Sequence, residues 1–228
     1  MNDLFIWYNT IPRTPKGFPL LEDRWLREKY YPSKNQEEMD YKWMKYNPLK
    51  DAFPPKGDLK LPDELFFIVQ KQKELLFDFM NYHFNLFIVS DVFLKLIQEY
   101  RLDLKYEISK LKIVHKNEKE LKCDKDYYAL RVSTHDDDLF DYVEDGKKRA
   151  SGARDFFLYP NLKLKPDVQD KGIYFLNEFC YHQTIVVNEE LKKTIIKNFY
   201  SPELYKLEDF AQVYNNSYKL ELMPENIR

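Results

Sequence analysis

Residues 85–102 read NLFIVSDVFLKLIQEYRL, and residues 183–200 read QTIVVNEELKKTIIKNFY. Each runs a short apolar, β-branched segment into one polar residue and then into a helical pattern. The fold must therefore seat a strand directly before the start of a helix, twice. Residues 86–89 have the length and composition of a buried strand. Ser90 stands at the N-cap, where its hydroxyl can accept an orphan helix N–H. Asp91 follows in the first turn, at the positive end of the helix dipole. Phe93, Leu96, Ile97 and Tyr100 fall at i, i+3, i+4 and i+7, on one helical face. In the second stretch residues 185–187 form the strand and Asn188 the cap. Glu189 and Glu190 occupy the first turn, and Leu191, Ile195 and Phe199 supply the apolar stripe. Aligning Ser90 with Asn188 also aligns Phe93 with Leu191 and Ile97 with Ile195. That is the pattern either of a distant internal duplication or of a common unit used twice.

The flanking segments add short strands. Residues 4–8 (LFIWY) open as a strand. Pro12, Pro15 and Pro19 then interrupt regular structure. Residues 21–62, punctuated by Pro32, Pro48, Pro54, Pro55 and Pro62, predict short helices and extended pieces. Residues 65–69 read as a strand or a helix start, and residues 71–80 (KQKELLFDFM) as a short helix. Further strands are predicted over residues 104–108, 111–114, 126–133, 156–159 and 173–176. Residues 201–228 show apolar content without a firm period. Strands and helices that do not alternate strictly indicate an α+β fold. The expected sheet is mixed or largely antiparallel, built of short strands with several flanking helices that include the two strand–cap–helix units. No clean boundary divides the chain. One domain over 1–228 is expected, with a proline-punctuated portion, 1–64, packed on a main body, 65–228.

Composition excludes several classes. The chain has 36 basic and 38 acidic side chains and a net charge of −2, which lacks the basic excess of a general nucleic-acid binder. The longest apolar runs are about five residues, far short of the roughly 20 that span a bilayer, so no membrane contact is expected. No charged start followed by a signal-like apolar run is present, and a cytoplasmic location is expected. Cys123 and Cys180 suit a reducing compartment. Tyr and Phe number 18 and 17. Such aromatics serve cores and interfaces equally, so their abundance does not by itself identify a binding surface.

The densest polar cluster is residues 134–155, THDDDLFDYVEDGKKRASGARD. Asp136, Asp137, Asp138, Asp141, Glu144 and Asp145 come first, followed by Lys147, Lys148, Arg149 and Arg154. Asp145-Gly146 is a turn signal, and the segment reads as a long exposed loop after a strand. Its carboxylates with His135 offer hard metal ligands, but the glycine-centred spacing of a calcium loop is missing. The same carboxylates could steer and register a basic partner, and an unengaged solvated loop is the simplest alternative. Cys180 and His182 would share a face on a strand, yet neighbours two apart rarely aim at one another. Cys123 and His115 are distant candidates for a zinc set, so a packing role is favoured. His83, between Tyr82 and Phe84, reads as a core or rim residue. No phosphate-binding glycine loop, nucleophile elbow, paired CxxC or HExxH is present. No catalytic, cofactor-binding or metal residue is assigned.

The order of segments resembles a family. FDFMNYHFNLFIVSDVFLKLIQEY leads through LKYEISKLKIV and DYYALRVSTHDDDLFDY to GIYFL and then TIVVNEELKKTIIKNFYSPELYKLEDF. Over roughly residues 70–210 this looks like the immunity proteins of bacterial polymorphic toxin systems, in a large group formerly catalogued as a domain of unknown function. The resemblance implies a non-enzymatic protein without cofactor that binds a cognate toxin and blocks its active site or substrate access. Joined to the expected cytoplasmic location, it implies a toxin acting in the cytoplasm, such as a nuclease, a deaminase or an NAD-directed enzyme. The family's Asp-containing segment matches residues 136–141. With the acidic cluster read as a docking surface for a basic partner, the partner-binding candidates are Asp136, Asp137, Asp138, Asp141, Glu144 and Asp145. Two alternatives stand beside this reading: a metal-dependent or small-ligand enzyme built on residues 134–145, and a structural adaptor.

Overall fold

The computed structural model describes residues 3–10, 15–30, 41–48, 50–83, 86–116, 119–133, 135–152 and 154–226. Pro12, Pro32, Phe84, Asn85 and Thr134, used above, lie outside them. The strands and helices in chain order are β1 (Leu4–Trp7), β2 (Arg24–Arg27), β3 (Glu64–Val69), β4 (Phe79–His83), β5 (Leu86–Ser90), α1 (Asp91–Tyr100), β6 (Tyr106–His115) and β7 (Tyr127–Val132). They continue with β8 (Phe140–Asp141), β9 (Lys148–Arg149), β10 (Phe157–Leu158), β11 (Lys163–Leu164), β12 (Ile173–Tyr174), β13 (Ile185–Asn188), α2 (Glu189–Asn198), β14 (Leu204–Lys206) and α3 (Phe210–Lys219). The fold is α+β. Among the described residues no helix is long and apolar enough to cross a membrane. The chain gathers into two compact units, one of residues 1–14, 97–102 and 135–228, the other of residues 15–96 and 103–134. Each unit collects separated segments, so no single cut in the sequence marks their boundary.

The second unit holds a six-stranded sheet in the order β2-β3-β6-β7-β5-β4. Only β3 and β6 pair in parallel. Alternate residues point to one core: Leu65, Phe67 and Val69 from β3, Leu86 and Ile88 from β5, Leu111 and Ile113 from β6, and Tyr127 and Ala129 from β7. This is the two-residue period of a strand with one face buried. The two edge strands are bridged by side chains. The Leu26 N–H donates to Tyr82 Oη at 2.7 Å, and Arg24 Nη2 donates to the Asn81 carbonyl at 3.1 Å. The sheet thus curls round its core until β2 meets β4. Arg131 on β7 fastens the proline-punctuated segment to this sheet. It donates to the carbonyls of Leu59 at 2.9 Å and Trp43 at 2.6 Å, and lies 4.6 Å from the Tyr46 ring.

The first unit holds a four-stranded antiparallel sheet, β12-β13-β1-β14. On one face α2 brings Phe199 edge-on to Trp7 at 5.7 Å and Lys192 over Phe5 at 4.0 Å. On the other face Ile6, Tyr174, Val186 and Tyr205 pack with Phe210, Val213 and Tyr214 of α3.

Both strand–cap–helix units form as the sequence predicts. Ser90 Oγ accepts the Phe93 N–H at 3.2 Å, and Asn188 Oδ1 accepts the Leu191 N–H at 2.9 Å. Their surroundings also match. The order β4-β5-β7-β6 corresponds to β12-β13-β1-β14. In each, the strands before and after the helix run parallel, with one antiparallel strand between them. The intervening strand follows the helix in the second unit as β7. In the first unit β1, from far upstream, takes that place.

Three elements differ from the sequence expectation. Residues 71–78 form no helix and lead into β4. Asp78 is fully buried there, accepting the Ser90 hydroxyl and Lys125 Nζ at 2.6 Å, and this fixes the chain in an extended course. The strands expected over 104–108 and 111–114 are one strand, β6, in which Ser109 faces inward and Ile108 outward. Residues 210–219, without a firm period in sequence, are α3; its buried stripe of Phe210, Val213, Tyr214 and Ser217 includes a serine. Tyr82→Phe is expected to leave the Leu26 N–H unpaired at the seam between β2 and β4 and to lower stability by about 1–2 kcal/mol. Urea denaturation measures this, and an unchanged midpoint contradicts the side-chain seam.

Candidate partner-binding site

Residues 135–155 are not one long exposed loop. A 3-10 turn at Asp137–Leu139 leads into β8, which pairs with β11, and β9 pairs with β10. Two of the six candidate carboxylates are turned inward. Asp136 is 3% exposed. Its oxygens accept Arg101 Nη1 at 2.8 Å and Nη2 at 3.1 Å, and the Phe175 N–H at 3.0 Å. Its own N–H donates to the Phe175 carbonyl at 2.7 Å, and Arg101 Nη1 also donates to the Ile173 carbonyl at 2.9 Å. The bidentate geometry suits a planar guanidinium facing a carboxylate. Backbone groups satisfy what the ion pair leaves over, which a buried pair requires.

Asp137 has a similar task one residue on. It accepts the Tyr142 hydroxyl at 2.7 Å, the Asn177 N–H at 2.8 Å and the Glu178 N–H at 3.0 Å. Burial raises the Tyr142 phenol well above its ordinary range, and the Asp137 charge adds to this. Burial likewise raises the Glu178 carboxyl, again with help from Asp137. His135 is held below the ordinary imidazole value by burial, an effect that Asp137 and Asp136 oppose. His182 is 7% exposed, and burial pushes it down to about 4. It sits with Cys180 and Tyr181 in a turn, not on a strand, and all three side chains are buried. Burial pushes the Cys180 thiol up to about 11, the opposite of what a nucleophile needs.

The other four candidates face outward in varying degree. Asp138, Glu144 and Asp145 are exposed, and Asp141 on β8 is half-buried opposite Lys163. The backbone that carries them is held at several points. Lys165 Nζ donates to the Asp138 carbonyl at 2.6 Å, the Lys165 N–H donates to the Leu139 carbonyl at 3.0 Å, and Asn161 Nδ2 donates to the Asp145 carbonyl at 3.1 Å. Lys147 pairs with Glu144 and lies 4.2 Å from the Phe157 ring. The exposed surface is consequently mixed in sign, with carboxylates up to Asp145 and cations from Lys147 to Arg154. Among the described residues no group of three or more His, Cys, Asp or Glu is placed to hold a metal ion. Arg101, which the sequence presents only as the residue after a helix, is the group that decides the role of Asp136.

Among protein families, the one described as Immunity protein 43 matches residues 10–222 of the chain. No curated protein matches it.

Asp136→Ala is expected to strand the Arg101 guanidinium in the interior and to destabilise the chain by about 3–5 kcal/mol, read by denaturant unfolding; a loss below 1 kcal/mol contradicts a buried pair. His182 binds a proton more readily in the unfolded chain than in the folded one, because its folded value lies below its ordinary 6.5. Its contribution is complete above about pH 6.5 and is lost as the pH falls towards 4, up to about 3 kcal/mol. Glu178, shifted upward, acts with the opposite sign. The His182 share is isolated by comparing stability–pH curves of the original chain and His182→Gln. Identical slopes between pH 6.5 and 4 contradict the assignment.

Proposed function

The chain belongs to the Immunity protein 43 family and so neutralises a cognate toxin, and from that premise we propose that it does so in the cytoplasm by occupying the toxin's active site or the approach to it. Binding rather than catalysis is the task of such a protein. The observation that carries the proposal is the division of labour within one acidic run. Asp136 and Asp137 are committed inward and fix the segment. Asp138, Asp141, Glu144 and Asp145 are then carried outward on a backbone already held in place.

Preorganisation matters because ordering a loop on binding costs about 1–2 kcal/mol of backbone entropy for each residue fixed. A segment ordered in advance avoids much of that loss. Carboxylates on a rigid ribbon suit a toxin whose substrate cleft is basic, as in a nuclease, because they stand where phosphate charge would otherwise lie. Charge of this kind raises the association rate and fixes register. It does not require the chain to touch nucleic acid, and its near-neutral net charge of −2 fits that.

Charge reversal of Asp138, Glu144 and Asp145 together to Lys is expected to weaken binding to the toxin domain by roughly tenfold or more at low salt, and to flatten the dependence of affinity on salt. Titration calorimetry across a salt series reads both. Unchanged affinity and slope contradict the proposal. Thermal unfolding of the variant serves as the control, since these three side chains are exposed and their replacement leaves the inward pair intact.

A further inference from the structure

Helix α3 ends in an unusual way. The Leu220 N–H donates to the Ser217 carbonyl at 3.2 Å, and the Glu221 N–H donates to the Asn216 carbonyl at 2.8 Å. These two bonds form a Schellman closure, in which the left-handed residue is usually glycine. Here that residue is Leu220, with φ 59° and ψ 32°. A left-handed conformation costs a side-chain-bearing residue roughly 1–2 kcal/mol. The leucine recovers little of this by burial, being 67% exposed. Tyr218 is 56% and Leu222 89% exposed beside it. Folding alone would favour glycine at 220 and a polar residue at 222.

These side chains are held in place. Met223 is buried in the core, and Asn216 Nδ2 donates to the Leu222 carbonyl, so Leu222 is displayed from a fixed backbone. The Tyr218 ring lies so close to Gly152 that a Cβ there would come within 2.3 Å of it. The loop carrying Gly152 is tied to α3 by the Ser151 N–H, which donates to Asn215 Oδ1 at 2.7 Å, and by Asn215 Nδ2, which donates to the Arg149 carbonyl at 3.2 Å. Lys219, between Tyr218 and Leu220 in the chain, is exposed, as are Arg149, whose carbonyl accepts from Asn215 of α3, and Arg154, two residues past Gly152; Asp155 and Glu221 are the carboxylates nearest them along the chain. Strain held at an exposed position with no return in packing points to function, and apolar and aromatic anchors with a charged rim are how interfaces concentrate affinity.

We propose that Tyr218, Leu220 and Leu222 form an apolar anchor that inserts into the cognate toxin, with Arg149, Arg154 and Lys219 facing carboxylates around the receiving pocket. The proposal rests on the chain's being a toxin-binding protein. It does not depend on the carboxylates of residues 138–145. The test compares Leu220→Gly and Leu222→Ser in the full chain, measuring thermal unfolding, self-association and affinity for the toxin domain. Leu220→Gly is expected to raise the unfolding midpoint by roughly 2–4 °C and yet to weaken toxin binding about tenfold. Leu222→Ser is expected to weaken binding without moving the midpoint. A variant pair that binds the toxin as tightly as the original chain overturns the anchor. So does loss of a dimer with unchanged toxin affinity, which would make a second copy the occupant. Weakened binding here beside an unaffected charge-reversal variant supports the anchor and refutes the carboxylate reading; the reverse combination refutes the anchor alone.

Discussion

The buried Asp136–Arg101 pair decides how much of this protein is scaffold and how much is available to a partner. It lies along the outer side of β12. There the Ile173 carbonyl accepts from Arg101, and the Phe175 N–H and carbonyl both bond to Asp136. These are the groups a further strand would have used. An exposed row of them is a template for unwanted pairing. The ion pair therefore ends the sheet, and in the same geometry it anchors the start of the acidic segment.

The same solution recurs at other edges. At β14 the Asn226 carboxamide accepts the Leu204 N–H at 2.9 Å and donates to the Pro202 carbonyl at 3.3 Å, standing in for a neighbouring peptide. In the other unit the β2 and β4 edges are joined through Tyr82 and Arg24. Side chains thus occupy backbone groups at an edge of each main sheet. The binding mode proposed for such a molecule is through side chains displayed from a fixed backbone, not through strand addition. The outward carboxylates and the apolar trio at the end of α3 are the two surfaces proposed for it.

How much of this was legible in sequence follows from how local each cause is. The two strand–cap–helix units were readable because a cap bond spans three residues and an apolar stripe repeats within one helix. Their matching sheet order was not, because β1 reaches its place between β13 and β14 from far upstream. The fold class survived this, since short strands and unalternated helices are visible in pattern alone. Helix α3 was hidden because Ser217 sits in its buried stripe while Tyr218 and Leu220 face outward. Residues 71–80 read as helical by propensity, but Asp78 is held by Ser90 and Lys125, and tertiary bonding prevails. Within the acidic run, three consecutive aspartates are alike on paper. Only Arg101, Phe175, Asn177 and Glu178, all distant in sequence, separate the inward two from the outward one.

With its sheet edges sealed by side chains, the scaffold is proposed to present preformed side-chain surfaces to its toxin. Amide hydrogen exchange on the chain alone and in complex reads this residue by residue. Residues 138–145 and 218–222 are expected to gain protection on binding, while the amides of β2, β4, β12 and β14 exchange as they do in the free chain. New protection concentrated on those edge strands, with residues 138–145 and 218–222 unchanged, would contradict it.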